Sequence, residues 1–166
     1  MAESVWHDFR PVEAEFLNHA PVVHRIESVT RLPRQAVWDA FADPTGWKHW
    51  FPFTENAIYE GGTPYGIGTI RKSWVGGERF EETMLIWDEP RRWGYRIDRA
   101  TQALAGAQIE LTEFETAPEG TRVIWTLACE PLPGLSFLSG DADFPAFLKD
   151  MLDKALRALE AHLAKN

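Results

Sequence analysis

The chain has 166 residues, of which 45% are hydrophobic, 13% aromatic and 25% charged, and its formal net charge is −8. This length suits one domain that buries about two-thirds of its unfolded surface. Nucleic-acid binding requires a positive patch that displaces counterions from phosphates. The acidic balance, with no large basic cluster, therefore argues against DNA, RNA and anionic membranes as partners.

Residues 1–20 form a predicted N-terminal extension that precedes a single domain predicted for residues 21–164. The extension lacks the apolar core of a signal peptide, and no segment of the chain approaches the ~20 apolar residues of a membrane span. The single cysteine, Cys129, has no partner for an internal disulfide. We therefore expect a cytoplasmic protein, in which the aromatic extension either packs over the fold or forms the contact of a homodimer.

The first predicted elements are one strand and two short helices. Residues 22–31 alternate between apolar and polar side chains, which is typical of a half-buried strand. Trp38 and Phe41 lie three positions apart and can pack a short helix against a sheet. Trp50 and Phe51 lie near the tip of the second helix, so we expect them to face a pocket.

The middle of the chain is predicted to form an antiparallel meander. Turn signals rich in glycine and proline recur about every ten residues, a spacing typical of hairpins. Gly76-Gly77 is the most specific of these signals, because both positions of a two-residue hairpin turn can require positive φ. The predicted strands cover residues 55–59, 67–75, 78–87, 92–98, 107–115 and 121–130.

The last predicted element is a long amphipathic helix that Asp143 can cap and that has Pro145 in its first turn. Residues 131–140, just before it, are unusually apolar for a loop, and we expect them to cover the mouth of a cavity. The apolar residues of the helix recur at intervals of three and four, and they are Phe144, Phe147, Leu148, Met151, Leu152, Ala155, Leu156, Leu159 and Leu163.

A family resemblance can be stated on these residues. The segment Val37-Trp38-Asp39-Ala40-Phe41-Ala42-Asp43-Pro44, followed by Trp47 and Trp50, resembles the opening of the START-related superfamily, also called SRPBCC. The resemblance covers about residues 22–163 and is closest to the polyketide cyclase/dehydrase and lipid-transport branch. Further matching positions are Gly66-Ile67-Gly68-Thr69, Glu82, Asp88-Glu89-Pro90-Arg91-Arg92, Tyr95 and Gly120-Thr121-Arg122-Val123.

The resemblance implies an α+β helix-grip fold like that of the birch-pollen-type allergens. The implied element order is β-α-α-β-β-β-β-β-β-α, in which a curved antiparallel sheet of about seven strands wraps the C-terminal helix. An internal cavity is implied between the sheet and this helix. The family has no universal catalytic set, so the resemblance is specific for the fold and not for an activity.

Strand alternation identifies the side chains that we expect to face this cavity. In the fourth predicted strand, Glu82 shares a face with Phe80, Met84 and Ile86, whereas Trp87 lies on the opposite face. The predicted ligand-binding residues are Trp50, Phe51, Tyr59, Arg71, Glu82, Met84, Trp93, Tyr95, Trp125, Phe144, Phe147 and Met151.

Glu82 is the most informative polar position in these strands. If it faces inward beside Arg71, the two side chains can form a buried pair, whereas a lone buried carboxylate would be protonated more easily. The more ordinary alternative is an exposed cross-strand pair.

The usual catalytic and metal-binding patterns are missing from the sequence. The five histidines are scattered without the spacing of a zinc site, and the glycine pairs lack the strand-to-helix context of a nucleotide loop. We therefore predict no metal and no cofactor. If the protein is an enzyme, the candidate catalytic residues are Glu82, Arg71, Tyr95 and His49.

Three functions remain open. The first and preferred one is binding of a small hydrophobic or amphipathic ligand, lipid-like or polyketide-like, in the implied cavity. The second is an enzyme similar to polyketide cyclases or dehydratases, which shapes a reactive substrate with a few acid and base groups. The third is an interaction protein similar to the superfamily members that activate a chaperone ATPase.

Overall fold

The computed structural model describes residues 4–135 and 143–166, and it has an α+β architecture with one large sheet. Two short 3₁₀ helices lie at Ala14–Asn18 and Pro44–His49. The α-helices are α1 (Arg34–Ala42) and α2 (Asp143–Leu163). The strands are β1 (His7–Asp8), β2 (Val22–Thr30), β3 (Thr54–Tyr59), β4 (Ile70–Val75), β5 (Glu78–Asp88), β6 (Arg92–Ala100), β7 (Ala105–Ala117) and β8 (Gly120–Pro131).

The sheet is antiparallel, with the strand order β2-β8-β7-β6-β5-β4-β3, and the short β1 pairs with β6 outside this path. One face, which we call the inner face, packs with α1 and α2 into a single core. The buried side of α2 consists of Leu148, Leu152, Ala155, Leu156 and Leu159. The predicted helix-grip fold is therefore confirmed.

The hairpin between β4 and β5 follows from its two glycines. Gly76 and Gly77 have φ values of 60° and 83°, as a two-residue turn with positive φ at both positions requires. The strand predicted at 67–75 begins only at Ile70, because Gly68 has a φ of 89° and turns the chain. The start predicted for this strand is therefore three residues too early.

β5 pairs with β6 with two irregularities, of which the second changes which of its side chains face inward. Its register with β6 shifts between Glu81 and Glu82 and again between Met84 and Ile86. Trp87 consequently lies on the inner face, where its ring centre is 5.7 Å from that of Trp38. The predicted outward position of Trp87 is wrong, because strict alternation does not hold across a bulge.

The N-terminal extension packs over the outer face of the sheet. Val12 and Phe16 form a second apolar cluster with Ala107, Ile109 and Ala128 of β7 and β8. The pairing of β1 with β6 brings the sheet to eight strands, one more than the family resemblance implies. β7 and β8 are consequently covered on both faces, as the apolar residues on both faces of β8 require.

Two further predictions concern the start of α2 with the loop before it, and the absence of a membrane-spanning segment. Asp143 is the first residue of α2, while half of the apolar loop predicted at 131–140 lies outside the described residues. Within the described ranges, no helix combines the length and the apolar character that crossing a membrane requires.

Candidate functional site: a polar cluster in an aromatic cavity

A cavity of about 480 Å³ lies between the inner face of the sheet and α2. Among the predicted ligand-binding residues, Trp50, Tyr59 and Met84 are instead buried in the core around it. The predicted residues that line the cavity are Phe51, Arg71, Glu82, Trp93, Tyr95, Trp125, Phe144, Phe147 and Met151.

Of the four catalytic candidates, three line the cavity and His49 does not. His49 is exposed at the end of the second 3₁₀ helix, where its ring stacks at 5.0 Å on that of His162. It is therefore separated from the polar groups of the cavity.

Aromatic rings surround Arg71, the one arginine among the described residues that line the cavity. The guanidinium carbon of Arg71 lies 4.6 Å from the ring centre of Trp47 and 5.5 Å from those of Trp93 and Tyr95. Cation–π contacts of this kind stabilise a charge that is withdrawn from water. The rings also fix the direction of the guanidinium group.

Arg71 forms a buried ion pair with Glu82. The register of β4 and β5 places the two residues opposite each other, and Arg71 Nη1 donates to Glu82 Oε2 at 2.5 Å. Ser73 Oγ donates to the other carboxylate oxygen at 3.1 Å. Because both charged side chains are no more than 4% exposed, the expected alternative of an exposed pair is wrong.

The electrostatics of the pair keep Arg71 charged. Burial lowers the pKa of Arg71, but Glu82, Tyr95 and Tyr59 together raise it by more, so the pKa stays above its ordinary value. Burial raises the pKa of Glu82, whereas Arg71 and Ser73 lower it, and the 2.5 Å contact with Arg71 favours the ionised pair, in which the two charges compensate each other.

A second buried carboxyl group, Glu110, was missed in the sequence analysis. It lies on β7 beside β6 and β8, and it accepts hydrogen bonds from the side chains of both strands. Tyr95 OH and Gln108 Nε2 donate to Glu110 Oε2 at 3.0 and 3.2 Å, and Trp125 Nε1 donates to Oε1 at 2.8 Å. Glu110 is therefore the centre of a network that belongs to three strands.

Burial dominates the ionisation of this network. It raises the pKa of Glu110, the charge of Glu82 raises it further, and the three donors only partly offset the rise. Burial together with Glu110 and Glu82 raises the pKa of Tyr95 well above its ordinary value, although Arg71 lowers it. The phenol of Tyr95 is thus a neutral donor near pH 7.

The pattern of β7 explains why Glu110 was missed. Gln108, Glu110 and Thr112 alternate with apolar residues, and the usual rule places such a polar row in solvent. Here the outer, apolar face of β7 is covered by the N-terminal extension, so the polar row faces the cavity. Only the position of the extension reveals this reversal.

Several polar atoms of the cavity wall lack a partner among the described residues. They include Gln108 Oε1, Arg71 Nε and Thr54 Oγ1. Since buried polar groups are nearly always hydrogen-bonded, such atoms mark places where a bound molecule can complete the network. The part of the chain that the structure describes contains no group of three or more metal-ligating side chains.

The comparison with protein families decides the classification. A family model described as polyketide cyclase / dehydrase and lipid transport matches residues 23–164. The chain belongs to this family. The match confirms the branch predicted from the Val37–Trp50 segment, and it includes the polar cluster from Arg71 to Trp125.

The individual relatives of this chain are distant from it in sequence. The uncharacterized protein Mb2604 of Mycobacterium bovis is 25% identical over 156 residues, which cover 93% of this chain and 89% of that protein. The crystal structure of Ara h 8.0201 has a TM-score of 0.65 at 16% identity and covers 87% of this chain and 99% of that one. DynU16, a protein in the dynemicin biosynthetic locus, has a TM-score of 0.58 at 19% identity, over 86% of this chain and 47% of that one. The structural likenesses establish the shared fold.

Proposed function

We propose that the protein binds a small hydrophobic or amphipathic molecule between the sheet and α2. The observation that carries this proposal is the cavity of about 480 Å³, whose aromatic wall contains one compact polar cluster. Sites for small molecules typically have volumes of about 300–1,000 Å³, mostly apolar walls and a few polar groups that orient the ligand. The ligand body packs on the rings, and its polar end meets Gln108 and Glu110.

The family supports the same function. Its description names polyketide cyclases, dehydrases and lipid transport. The molecules that such proteins bind are largely apolar. The cavity-lining residues near the start of α2 are also apolar, and they are Phe144, Phe147 and Met151. A hydrophobic ligand therefore contacts carbon surface from the first turn of α2 inward.

A cavity-filling variant tests the proposal. N-phenyl-1-naphthylamine, an uncharged dye that fluoresces in apolar sites, is titrated into the wild type, Met151→Trp and Lys154→Trp. Met151 lines the cavity, so the larger ring is expected to weaken dye binding by about tenfold or more, through lost volume. Lys154 is exposed on the same helix and controls for the added tryptophan.

Native mass spectrometry of the purified wild type complements the titration, because a retained compound identifies the ligand directly. Equal dye affinity in all three proteins would contradict binding in this cavity. Absence of any dye binding by the folded wild type would contradict the function itself.

Acid–base chemistry on the bound molecule is a second candidate, favoured by the position of Glu110. Glu82 is ion-paired with Arg71, whereas Glu110 accepts hydrogen bonds from uncharged donors only among the described residues, lines the cavity and has a pKa that burial raises. Linear triketide and tetraketide thioesters of N-acetylcysteamine are suitable probes. Conversion by the wild type and by Glu115→Gln, but not by Glu110→Gln, would support catalysis, and equal conversion by all three would contradict it.

A further inference from the structure

We propose that the cavity selects a ligand whose polar end is an uncharged hydrogen-bond donor, the hydroxyl group of an alcohol or a phenol, and rejects a carboxylate or phosphate end. This inference rests on the proposed function, because it specifies the chemical group that the polar cluster recognises. The recognising atoms are Gln108 Oε1 and Glu110 Oε1, which are both acceptors.

The distribution of charge argues against an anionic ligand. The described lining residues include two carboxyl groups, Glu82 and Glu110, and one cation, Arg71. The charge of Arg71 is already compensated by Glu82 at 2.5 Å, and the ring of Trp47 covers its guanidinium at 4.6 Å. An incoming anion would lose its hydration and meet two carboxyl groups and a cation that is already paired with one of them, which is costly in a buried site.

The hydrogen bonds of Gln108 leave one acceptor open. Its Nε2 donates to Glu110, while its Oε1 has no partner in the described part of the chain. The reverse orientation of the amide would place two acceptors 3.2 Å apart and is unfavourable. Because Gln108 lines the cavity and is only 6% exposed, a donor that enters the cavity is the group that can satisfy the open oxygen.

Glu110 offers a second acceptor next to the first. Its Oε2 already accepts two hydrogen bonds, but Oε1 accepts only that of Trp125 among the described residues. A carboxylate oxygen has two lone pairs, so Oε1 can accept one more. The donors around it, Tyr95 OH and Trp125 Nε1, are already used. The Gln108–Glu110 end of the cavity therefore requires a donor from the ligand, whereas the unpartnered donor Arg71 Nε belongs to the separate Arg71–Glu82 pair.

An ammonium end also donates hydrogen bonds, but the site favours a neutral group. Burying an ammonium ion is costly unless a carboxylate pairs with it. Glu110 is the available partner, but an ammonium group has three donors, and the cluster offers two open acceptor positions, Gln108 Oε1 and Glu110 Oε1. The charged Arg71 lies beside Tyr95, 5.5 Å from the ring centre, and repels a second cation at the Tyr95–Glu110 end.

The test uses four probes that share one ring system and differ only in the polar end. They are 2-naphthalenemethanol, its methyl ether, 2-naphthoate and 2-naphthylmethylammonium, titrated calorimetrically into the full-length wild type. We expect the alcohol to bind about tenfold more tightly than the ether, which cannot donate, because one hydrogen bond in a buried site is worth about that factor. The carboxylate is expected to bind at least about tenfold more weakly than the alcohol.

Variants assign the preference to the named acceptor. In Gln108→Met the alcohol and the ether are expected to bind within about twofold of each other, because the open amide oxygen is gone. Gln35→Met, on the exposed side of α1, is the control and keeps the preference of the wild type. Far-ultraviolet circular dichroism of both variants verifies that they are folded.

Each other outcome overturns the inference. Equal affinity for alcohol and ether excludes recognition of a donor, and an equally bound carboxylate excludes rejection of anions. Tightest binding of the ammonium probe makes the cluster a cation site. Failure of all four probes to bind also refutes the inference. The titration with N-phenyl-1-naphthylamine tests the proposed function separately.

Discussion

The polar residues of the cavity wall have two different physical roles. Arg71 and Glu82 neutralise each other, and a buried ion pair of this kind adds little net stability because desolvation offsets the attraction. Within the described part of the chain, Glu110 has three donors and no cation bonded to it. The pair therefore keeps its part of the wall neutral, whereas Glu110 has a pKa that burial raises and no bonded cation among the described residues to offset the rise.

A double-mutant cycle tests the neutralising role. Arg71→Met or Glu82→Leu alone is expected to lower the free energy of unfolding by about 3 kcal/mol or more, because each leaves a buried charge without its partner. The double variant is expected to lose less than the sum of the two, with a coupling of at least about 2 kcal/mol. Urea denaturation at pH 7 measures all four proteins.

The control cycle uses an exposed pair of similar composition, Arg122 and Glu115, whose charged atoms are 3.6 Å apart. For Arg122→Met and Glu115→Leu we expect a coupling below about 1 kcal/mol, since solvent screens exposed pairs. Coupling as small in the buried pair as in the exposed one would contradict the compensation of Arg71 by Glu82.

The raised pKa of Glu110 predicts a pH-dependent stability difference. Below the ordinary glutamate pKa of about 4.3, Glu110 is protonated in both folded and unfolded chains and costs nothing. As the pH rises through the window up to the folded pKa, the unfolded chain ionises first, so the wild type loses stability. Glu110→Gln cannot ionise, so its free energy of unfolding should rise relative to the wild type, by at most about 1.4 kcal/mol per pH unit.

Urea denaturation from pH 4.5 to 8 measures this difference. Glu115→Gln removes an exposed carboxyl group from the same strand and is the comparison. A pH trend of the same size in both variants would show that Glu110 is not its source.

The sequence predicted part of this chemistry. It identified Glu82 and Arg71 as a possible pair because their strands are adjacent. It left open whether they face the cavity or solvent, because strict alternation shows which residues share a face but not which face is buried. Glu110 was hidden because its strand has a polar row on one face, and the choice of face depends on residues nearly a hundred positions away. Local pattern therefore finds pairs within a hairpin better than networks across three strands.

At the scale of elements, the start of β8 is packed tightly against the end of β2. Thr121 Oγ1 donates to the carbonyl of Leu32 at 2.7 Å, and Glu160 of α2 accepts hydrogen bonds from Thr30 Oγ1 and the Arg31 backbone at 2.7 and 3.0 Å. One corner thus joins the first long strand, the last strand and the last helix, and it sets the position of α2 above the cavity.

Gly120 is the residue that permits this approach. Its φ is 145°, and a Cβ there would lie 2.4 Å from the carbonyl oxygen of Thr30. Gly120→Ala is expected to lower the free energy of unfolding by about 2–4 kcal/mol, because backbone atoms cannot yield as a side chain can. Gly66→Ala is the control, since its Cβ would meet nothing within 4 Å.

Chemical denaturation compares both variants with the wild type. If Gly120→Ala and Gly66→Ala lose equal stability, the corner tolerates a side chain, and the close approach of Gly120 to Thr30 does not limit the residue at this position. The sequence predicted strands on both sides of this turn, but the close contact with Thr30 depends on tertiary packing and has no local signature.

At the scale of the whole molecule, the sheet separates two apolar layers. The inner layer contains α1, α2 and the cavity, and the outer layer contains the N-terminal extension over β7 and β8. Two ion pairs hold the extension at its edges, Arg10 with Glu130 at 2.5 Å and Glu13 with Arg96 at 3.0 Å. Because the extension covers the outer face of β7, this strand can direct its polar row toward the cavity without exposing its apolar face to water.

The order of elements was predictable from sequence because periodicity and turn residues are local. The role of the extension was not, because its aromatic residues fit equally well a contact with a second subunit and a contact with the sheet. Only the complementary apolar residues of β7 and β8 distinguish the two, and their exposure depends on the complete fold.

Because the N-terminal extension packs on β7 and β8, we expect it to contribute to the stability of the folded domain. Phe16 is 5% exposed and packs on β7 and β8, so Phe16→Ala is expected to lower the free energy of unfolding by about 3 kcal/mol. Val5→Ala removes an apolar side chain that is 69% exposed in the same extension, and is expected to change stability by less than about 0.5 kcal/mol. Urea denaturation at equal protein concentration measures both. Wild-type stability of Phe16→Ala would show that residues 1–20 lie on a domain that is complete without them, with the outer apolar face stable in water.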